Sequence, residues 1–389
     1  MAYRRIGDYI REVDSRNRDL KVTKLVGLTI NKAFIPSVAN VIGTDLSNYK
    51  IIQKEQFACS LMQVSRDGKI PVAMFEDDAA IMSPAYPMFE VIDKDELLPQ
   101  YLMMWFSRSE FDREASFYAV GGVRGSLTWE DFCNMKLPVP SIDCQREIVE
   151  EYETLSRRIR LNEQMIEKLE ATAQALYRKM FVDGIDKENL PEGWRKGTLG
   201  EVVEIKGGKR LPKGEELQIK KNTHPYIKVA DMCSYKYILL NDNFQYVEDE
   251  VQNQIKQYIV NTNDVILSIV GTIGNVNVID ESLDGANLTE NCVKLINIRD
   301  VSCHYVYSYL TSEEGKLAID QSIVGGVQGK LPIYNIEKLS LLIPCKKSIE
   351  KYDAIVGQID NDARIRQQEN SKLSELQSLL LAKMGNLKQ

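Results

Sequence analysis

The stretch Val120-Gly-Gly-Val-Arg-Gly125 recurs as Val324-Gly-Gly-Val-Gln-Gly329, an offset of 204 residues. The same offset carries Leu127 to Leu331, Pro140 to Pro344, Gln164 to Gln368, Lys168-Leu169 to Lys372-Leu373 and Lys179-Met180 to Lys383-Met384. Upstream it carries Tyr101 to Tyr305. Gly68-Lys-Ile70 nearly maps to Gly271-Thr-Ile273, and Ile6-Gly-Asp8 resembles Leu199-Gly-Glu201 at a slightly shorter offset. One hexapeptide match could arise by chance, but a register held over dozens of residues does not. The chain reads as two copies of one unit of about 200 residues.

Each unit has two parts. The first has short apolar runs broken by Gly, Asn and Asp, such as Val265-Ile-Leu-Ser-Ile-Val270 and Val276-Asn-Val-Ile279, mixed with short helical stretches at 97–108 and 305–310. This pattern predicts an α+β globule. The second part begins after Leu137-Pro-Val-Pro140, with Ser141 as N-cap. Apolar residues then fall at 148, 152, 155, 159, 166, 169, 173, 176 and 180, a heptad pattern with Asn162 in its one polar slot. Gly184 supplies the stop. Some 40 helical residues at about 1.5 Å each make a rod of roughly 60 Å. The copy at 348–386 is more polar, with Arg366 and Asn370 in the seam. Residues 183–192 read as a tight polar linker into Leu190-Pro-Glu-Gly-Trp194.

The predicted fold class is α+β, with an internal pseudo-two-fold repeat. Two α+β globules, 1–140 and 185–345, alternate with long helices, 141–184 and 346–389, that carry a coiled-coil pattern.

Composition bounds the chemistry. The 389 residues are 44% apolar and 27% charged, an ordinary globular balance. No run of 18 apolar residues occurs, so no membrane span is expected, and Met1–Lys21 has no signal-peptide apolar core. Seven scattered cysteines without a CxxC pair read as reduced thiols in a cytosol, and two histidines leave a zinc site poorly supplied. Gly325–Leu331 lacks the spacing and the hydroxyl of a P-loop, and no GxGxxG occurs. With no Pro-Pro dipeptide, the Asn/Asp-Pro-Pro-aromatic motif of amino-methyltransferases is missing. Nothing recommends an enzyme. The net charge of −7 opposes bulk attraction to nucleic acid, yet local basic loops still suit phosphate.

Three motif pairs are candidate DNA contacts. The glycine loops allow close backbone approach and hold Gly122, Arg124 and Ser126 in one copy, Gln328 and Lys330 in the other. Arg pairs bidentately with guanine and Gln with adenine, so one position varies within a preserved loop. Lys206-Gly-Gly-Lys-Arg-Leu-Pro-Lys213 places Lys206, Lys209, Arg210 and Lys213 around two glycines, suited to phosphate, with Arg16 and Arg18 as its counterpart. Ser65, Arg66 and Lys69 in one copy, and Thr272 and Asn275 in the other, occupy polar turns between strands. Each of these motifs has a plainer reading as a solvated turn. Asn31, Lys32, Lys228 and Asp231 follow strands and are weaker candidates, while Tyr86, Trp105 and Tyr309 read as core aromatics.

Leu190-Pro-Glu-Gly-Trp194 leading into Gly197-Thr-Leu-Gly-Glu201, Asp264-Val-Ile-Leu-Ser268 into Gly271-Thr-Ile-Gly274, and Pro140 with Gln145-Arg-Glu-Ile-Val149 carry a resemblance in their order. The chain resembles the specificity subunit of type I restriction-modification systems over essentially its whole length. The first copy departs from the pattern at Ser65–Ile70. The resemblance implies a non-catalytic DNA reader whose globules are target recognition domains for the halves of a bipartite, asymmetric site on double-stranded DNA, with the helices packed as an antiparallel coiled coil that acts as spacer. It implies two methyltransferase (modification) subunits that methylate adenine N6 with S-adenosylmethionine, and translocase-nuclease (restriction) subunits that use ATP and Mg. No cofactor is expected on this chain. Outer helix residues Arg157, Arg158, Glu163 and Lys168 are solvated or dock the methyltransferase. Two alternatives stand beside this one: the specificity subunit of a related system whose modification and nuclease activities share one chain, and a coiled-coil scaffold with no DNA role.

Overall fold

The computed structural model describes residues 3–37, 43–62, 64–120, 125–326 and 329–385. Its residues fall into two compact units: Met1–Ile159 with Lys372–Gln389, and Arg160–Ser371.

In the N-terminal unit a four-stranded antiparallel sheet runs in the order Ile10–Glu12, Met88–Val91, Phe57–Cys59, Val72–Met74. Its helices are Pro99–Phe106, with proline in the first turn where no amide partner is lost, Ser109–Ala119 and Trp129–Asn134. They pack a core of rings: Phe57 stacks on Phe89 at 5.0 Å, and Phe106 meets Phe111 at 4.9 Å. A second cluster around Phe75, Met82 and Met88 joins the hairpin Val26–Leu28/Phe34–Pro36 to the pair Lys50–Gln53/Ala79–Met82.

In the C-terminal unit a five-stranded sheet runs Glu204–Gly207, Cys292–Ile296, Val265–Ser268, Val276–Ile279, Tyr237–Ile238, antiparallel except for the last pair. Every residue of Val265–Ser268 is buried. Val265 and Leu267 face one apolar cluster and Ile266 another, which is why this strand reads as an unbroken apolar run.

The sequence repeat is also a repeat of contacts. The Tyr101 hydroxyl donates to Pro138 O at 3.1 Å, and the Tyr305 hydroxyl to Leu342 O at 2.6 Å. Ile6 N–H reaches Met135 O at 2.8 Å, and Leu199 N–H reaches Leu339 O at 2.8 Å. Leu127 N–H bonds Leu61 O, and Leu331 N–H bonds Ile269 O. Gly7 and Gly200 make the same close approach: an added Cβ would lie 2.8 Å from Cys133 Cβ in one unit and 3.0 Å from Glu337 Cβ in the other. Tyr86 is half-buried, and Trp105 and Tyr309 are buried, as expected of core aromatics.

The long helices are Ile142–Phe181 and Lys346–Met384. Ser141 Oγ accepts from Cys144 N–H at 3.5 Å, and the first helix closes with Asp183 N–H on Arg178 O and Gly184 at φ +71°. They run antiparallel within each unit. Ser156 meets Gln377, and Val149 shares a core with Met384, in the N-terminal one. Asn162 meets Asn370, and Tyr177 meets Tyr352, in the C-terminal one. Tyr3 donates to Gly385 O at 2.9 Å, just past the end of the second helix. Asn162 is 1% exposed and donates to Asn370 Oδ1 at 2.8 Å and Glu369 Oε2 at 3.0 Å, which makes it a buried polar seam position. The apolar seam differs from the predicted one. The deeply buried positions are Gln145, Val149, Asn162, Ile166, Ala173, Tyr177 and Phe181, because near its ends the first helix turns its inner face toward a globule core as well as toward its partner helix.

Two outcomes follow. In Gly200→Ala the new methyl group would crowd Glu337, 3.0 Å from its Cβ and 3.2 Å from its carbonyl oxygen, and a loss of about 1–3 kcal/mol is expected, read as a lowered thermal midpoint. Asn162→Ala removes the hydrogen bonds that this buried amide makes to Asn370 and Glu369, for a loss of about 1–3 kcal/mol. A melt identical to wild type would show that the seam is wet there.

Candidate nucleic-acid interface

Sheet register gathers the candidate loops. In the C-terminal unit Gly207 pairs with Val293, Ser268 with Cys292, and Leu267 with Val276. One end of the sheet therefore carries the loop after Gly207, the turn 268–275 and the loop before Cys292. The second glycine loop joins them, since Val270 and Lys330 form a bridge and Val324 and Lys330 exchange backbone hydrogen bonds at 2.9 Å. In the N-terminal unit Glu12 pairs with Phe89, Ala58 with Met88, and Cys59 with Val72. That end carries the loop with Arg16 and Arg18 and the loop with Ser65, Arg66 and Lys69. Ser65 Oγ donates to Gly125 O at 3.4 Å, seating the first glycine loop on the same end. Gly125 sits at φ +70°, and a Cβ there would collide with Ser65 Oγ, so glycine is required.

The side chains divide by what they already hold. Arg16 donates to Asp14 and to Asn48 O, both at 2.8 Å, and braces its own loop, while Arg18 is exposed. Buried Asn17 between them ties the loop to Val22. Ser65 and Arg66 lie in a one-turn helix, Val64–Asp67, and not in the plain turn expected from sequence. Gly68 at φ +65° ends that turn and leaves Lys69 exposed. Arg66 is bonded to Asp67, whose carboxyl it holds below the usual range. Lys206 does the same to Glu204, and Arg16 to Asp14. Arg210 bonds Glu290 at 2.5 Å, which raises its own affinity for the proton. Lys209 N–H bonds Leu288 O, and its Nζ lies 5.4 Å from the centre of the Tyr258 ring. Lys213 and Lys330 are exposed cations. Thr272 is exposed at the tip of a turn fixed from beneath by buried Ser268, whose hydroxyl donates to Thr272 O and accepts from Asn275 N–H. Ser126 is half-buried beside Gly125. Gly122, Arg124 and Gln328 lie outside the described residues.

Two weaker candidates already hold protein partners. Lys32 is buried, donates to Phe106 O, and pairs with Asp112 at 2.8 Å. Lys228 donates to Gln245 Oε1 at 2.8 Å and sits 3.8 Å from Asp231. Their position after strands suggested reach toward bases; their partners instead fasten loops to the core. The bracing roles of Ser268 and Glu290 were missed, and only the Ser268–Asn275 turn had a local signal for it. Among the described residues no cluster of His, Cys, Asp and Glu could hold a metal ion, and no helix is long and apolar enough to cross a membrane.

The chain is 21% identical to the type I restriction enzyme HindI specificity subunit of Haemophilus influenzae over 382 residues, 80% of this chain and 79% of that one. It is 19% identical to the MjaVIII specificity subunit of Methanocaldococcus jannaschii over 264 residues, 64% of this chain and 61% of that one. Its fold is similar to that of the S subunit of a type I restriction-modification system from M. genitalium, with a TM-score of 0.56 at 14% identity over 98% of this chain and 95% of that one. The model of the type I restriction modification DNA specificity domain matches twice, at residues 27–171 and 191–375. The chain therefore belongs to the type I restriction-modification DNA specificity family, as a DNA-recognition subunit without catalysis of its own.

Proposed function

We propose that the loop-bearing end of each sheet is the DNA-facing surface, and that each unit reads one half of a bipartite, asymmetric site. The observation that carries this reading is that equivalent loops, far apart in sequence, share one sheet end in both units. In this reading the target recognition domains are 1–140 and 185–345, and the helices 141–184 and 346–389 are the spacer. Ser65, Arg66, Lys69, Ser126, Thr272, Asn275 and Lys330 face the DNA with Arg18, Lys206, Lys209, Arg210 and Lys213. Arg124, Gln328 and Gly122 belong to the same loops by sequence. Two modification subunits bind S-adenosylmethionine and methylate adenine N6; restriction subunits supply ATP- and Mg-dependent translocation and cleavage. The assembly works in the cytoplasm.

One surface supports the docking of a modification subunit. In the N-terminal unit, Leu155, Leu376, Leu379 and Leu380 line a groove of about 710 Å³ between the two helices, rimmed by Glu147 and Lys383. Leu379 is 59% exposed, more than a solvated helix face needs.

The test separates base contacts from phosphate contacts. Arg124→Ala and Gln328→Ala each remove a side chain suited to bidentate base pairing, so each should relax one half-site and leave the other sharp, by about 1–3 kcal/mol at one position. Lys213→Ala should weaken all sequences alike and lower the salt slope by about 0.9. The measurement is methylation by the assembled complex across a duplex library randomised in both halves. If either glycine-loop variant blurs both halves equally, that loop clamps backbone and does not read bases.

A further inference from the structure

The helix Ser109–Ala119 leads directly into the first glycine loop, and it ends in an apolar tip. Phe117 is 76% exposed and Val120 75%, with Tyr118 at 44% and edge-on to Phe117 at 5.9 Å. Met62, 62% exposed, precedes the one-turn helix Val64–Asp67 that packs on this same helix. Single exposed apolar side chains are common, but four large ones at one corner of one sheet end are a feature that asks for a partner. The helix is not short of burial elsewhere: Phe111, Ala115 and Ala119 form its core face. The tip is therefore surplus to folding.

The other unit does not repeat it. At the offset of 204 residues Phe117 and Tyr118 become Gln321 and Ser322, with only Val120 keeping an apolar counterpart in Val324. The Ser322 hydroxyl bonds Ala318 O, and its carbonyl accepts from Asn335. The strand position matching Leu61 is Ile269, so Met62 corresponds to Val270, which is half-buried against its core and bridged to Lys330. The fold is repeated and the apolar tip is not.

We propose that this tip is an aromatic wedge that inserts against base faces of the first half-site, unstacking a base step there, while the second half-site is contacted without a wedge. The inference rests on the reading of this sheet end as the DNA-facing surface. DNA is favoured as occupant by the tip's surroundings: Arg66 lies on the one-turn helix beside Asp67, Lys69 is exposed just after it, Arg113 pairs with Glu110 on the tip's own helix, and the glycine loop continues from the tip itself. Exposed apolar side chains on a DNA-facing surface are the kind that enter DNA between base steps, where unstacking is offset by added contact. Stacking on a base tolerates any sequence, so the wedge selects by how easily a step opens and not by hydrogen-bond pattern.

The experiment uses the assembled complex and duplexes carrying its methylated site, with 2-aminopurine placed at successive positions through both halves. Apart from the target adenines that the modification subunits extrude, the expected result is a fluorescence rise on binding at one step of the first half only. Phe117→Ala should abolish it and weaken binding by roughly tenfold. The salt dependence should stay unchanged, because no phosphate contact is lost. Phe117→Trp should retain the rise, and thermal midpoints of all variants should match wild type. Unchanged fluorescence and affinity in Phe117→Ala would overturn the wedge, as would loss of complex assembly with DNA contacts intact, which would make the tip a protein interface. Lys69→Ala and Arg66→Ala separate the two readings. If they weaken binding and Phe117→Ala does not, only the wedge fails; if all three are silent, the assignment of this sheet end to DNA fails with it.

Discussion

Each globule completes its core with residues that arrive from helices far away in the sequence. In the C-terminal unit Tyr177 and Phe181 from the end of the first long helix pack against Tyr305 of the globule and Tyr352 of the second helix, with Phe181 5.0 Å from Tyr305 and 5.1 Å from Tyr352. The polar tips are satisfied: the Tyr305 hydroxyl donates to Leu342 O, and the Tyr352 hydroxyl shares a bond with Ser308. Removing one such ring from a packed core typically costs about 3–5 kcal/mol. In the N-terminal unit Val149 and Met384 enter the core in the same way. Helix and globule thus share one packed core within each unit.

The two units fasten their helices by different polar devices. In the N-terminal one, buried Gln145 uses its whole amide: its oxygen accepts from Leu98 N–H, and its nitrogen donates to Glu96 O and Pro140 O at 2.8–2.9 Å. In the C-terminal one, Lys236 and Asp360, both nearly fully buried, form an ion pair, with His304 Nδ1 2.7 Å from the same carboxylate. Glu170 on the first helix accepts from Lys236 N–H, and burial raises its carboxyl pKa. A buried ion pair contributes little net stability against an apolar equivalent, yet breaking it leaves an uncompensated charge. Its effect is to fix one seating of helix on globule. The neutral amide does so at lower desolvation cost.

Much of the architecture was legible because it is written twice. The offset of 204 residues identified Tyr101 with Tyr305, and both prove to be buried tyrosines bonded to equivalent carbonyls. Ser141 and Gly184 marked the helix ends through local chemistry. What was illegible depends on partners distant in sequence. The heptad count placed the seam at 148 and 176, but the deeper positions are Val149 and Tyr177, because a helix that also faces a globule obeys more than one interface. Lys32 looked like a loop cation with reach; Asp112, eighty residues on, makes it a core one. The grouping of loops at one sheet end follows from strand register, which no local signal encodes.

The charge pattern explains how an acidic chain of net charge −7 can serve DNA recognition. Many of the candidate cations carry an acidic neighbour: Arg16 with Asp14, Arg66 with Asp67, Lys206 with Glu204, Arg210 with Glu290. Exposed pairs of this kind are worth about 0–1 kcal/mol each, so a phosphate displaces the carboxylate at small cost when the geometry is right. When it is wrong, the carboxylate stays and repels. The sequence-independent attraction that dominates non-specific binding is thereby muted. A larger share of the discrimination then falls to contacts that depend on base identity and on how readily the duplex deforms. For a subunit whose role is specificity, weak bulk attraction is an advantage, since specificity is a difference between affinities and not their sum.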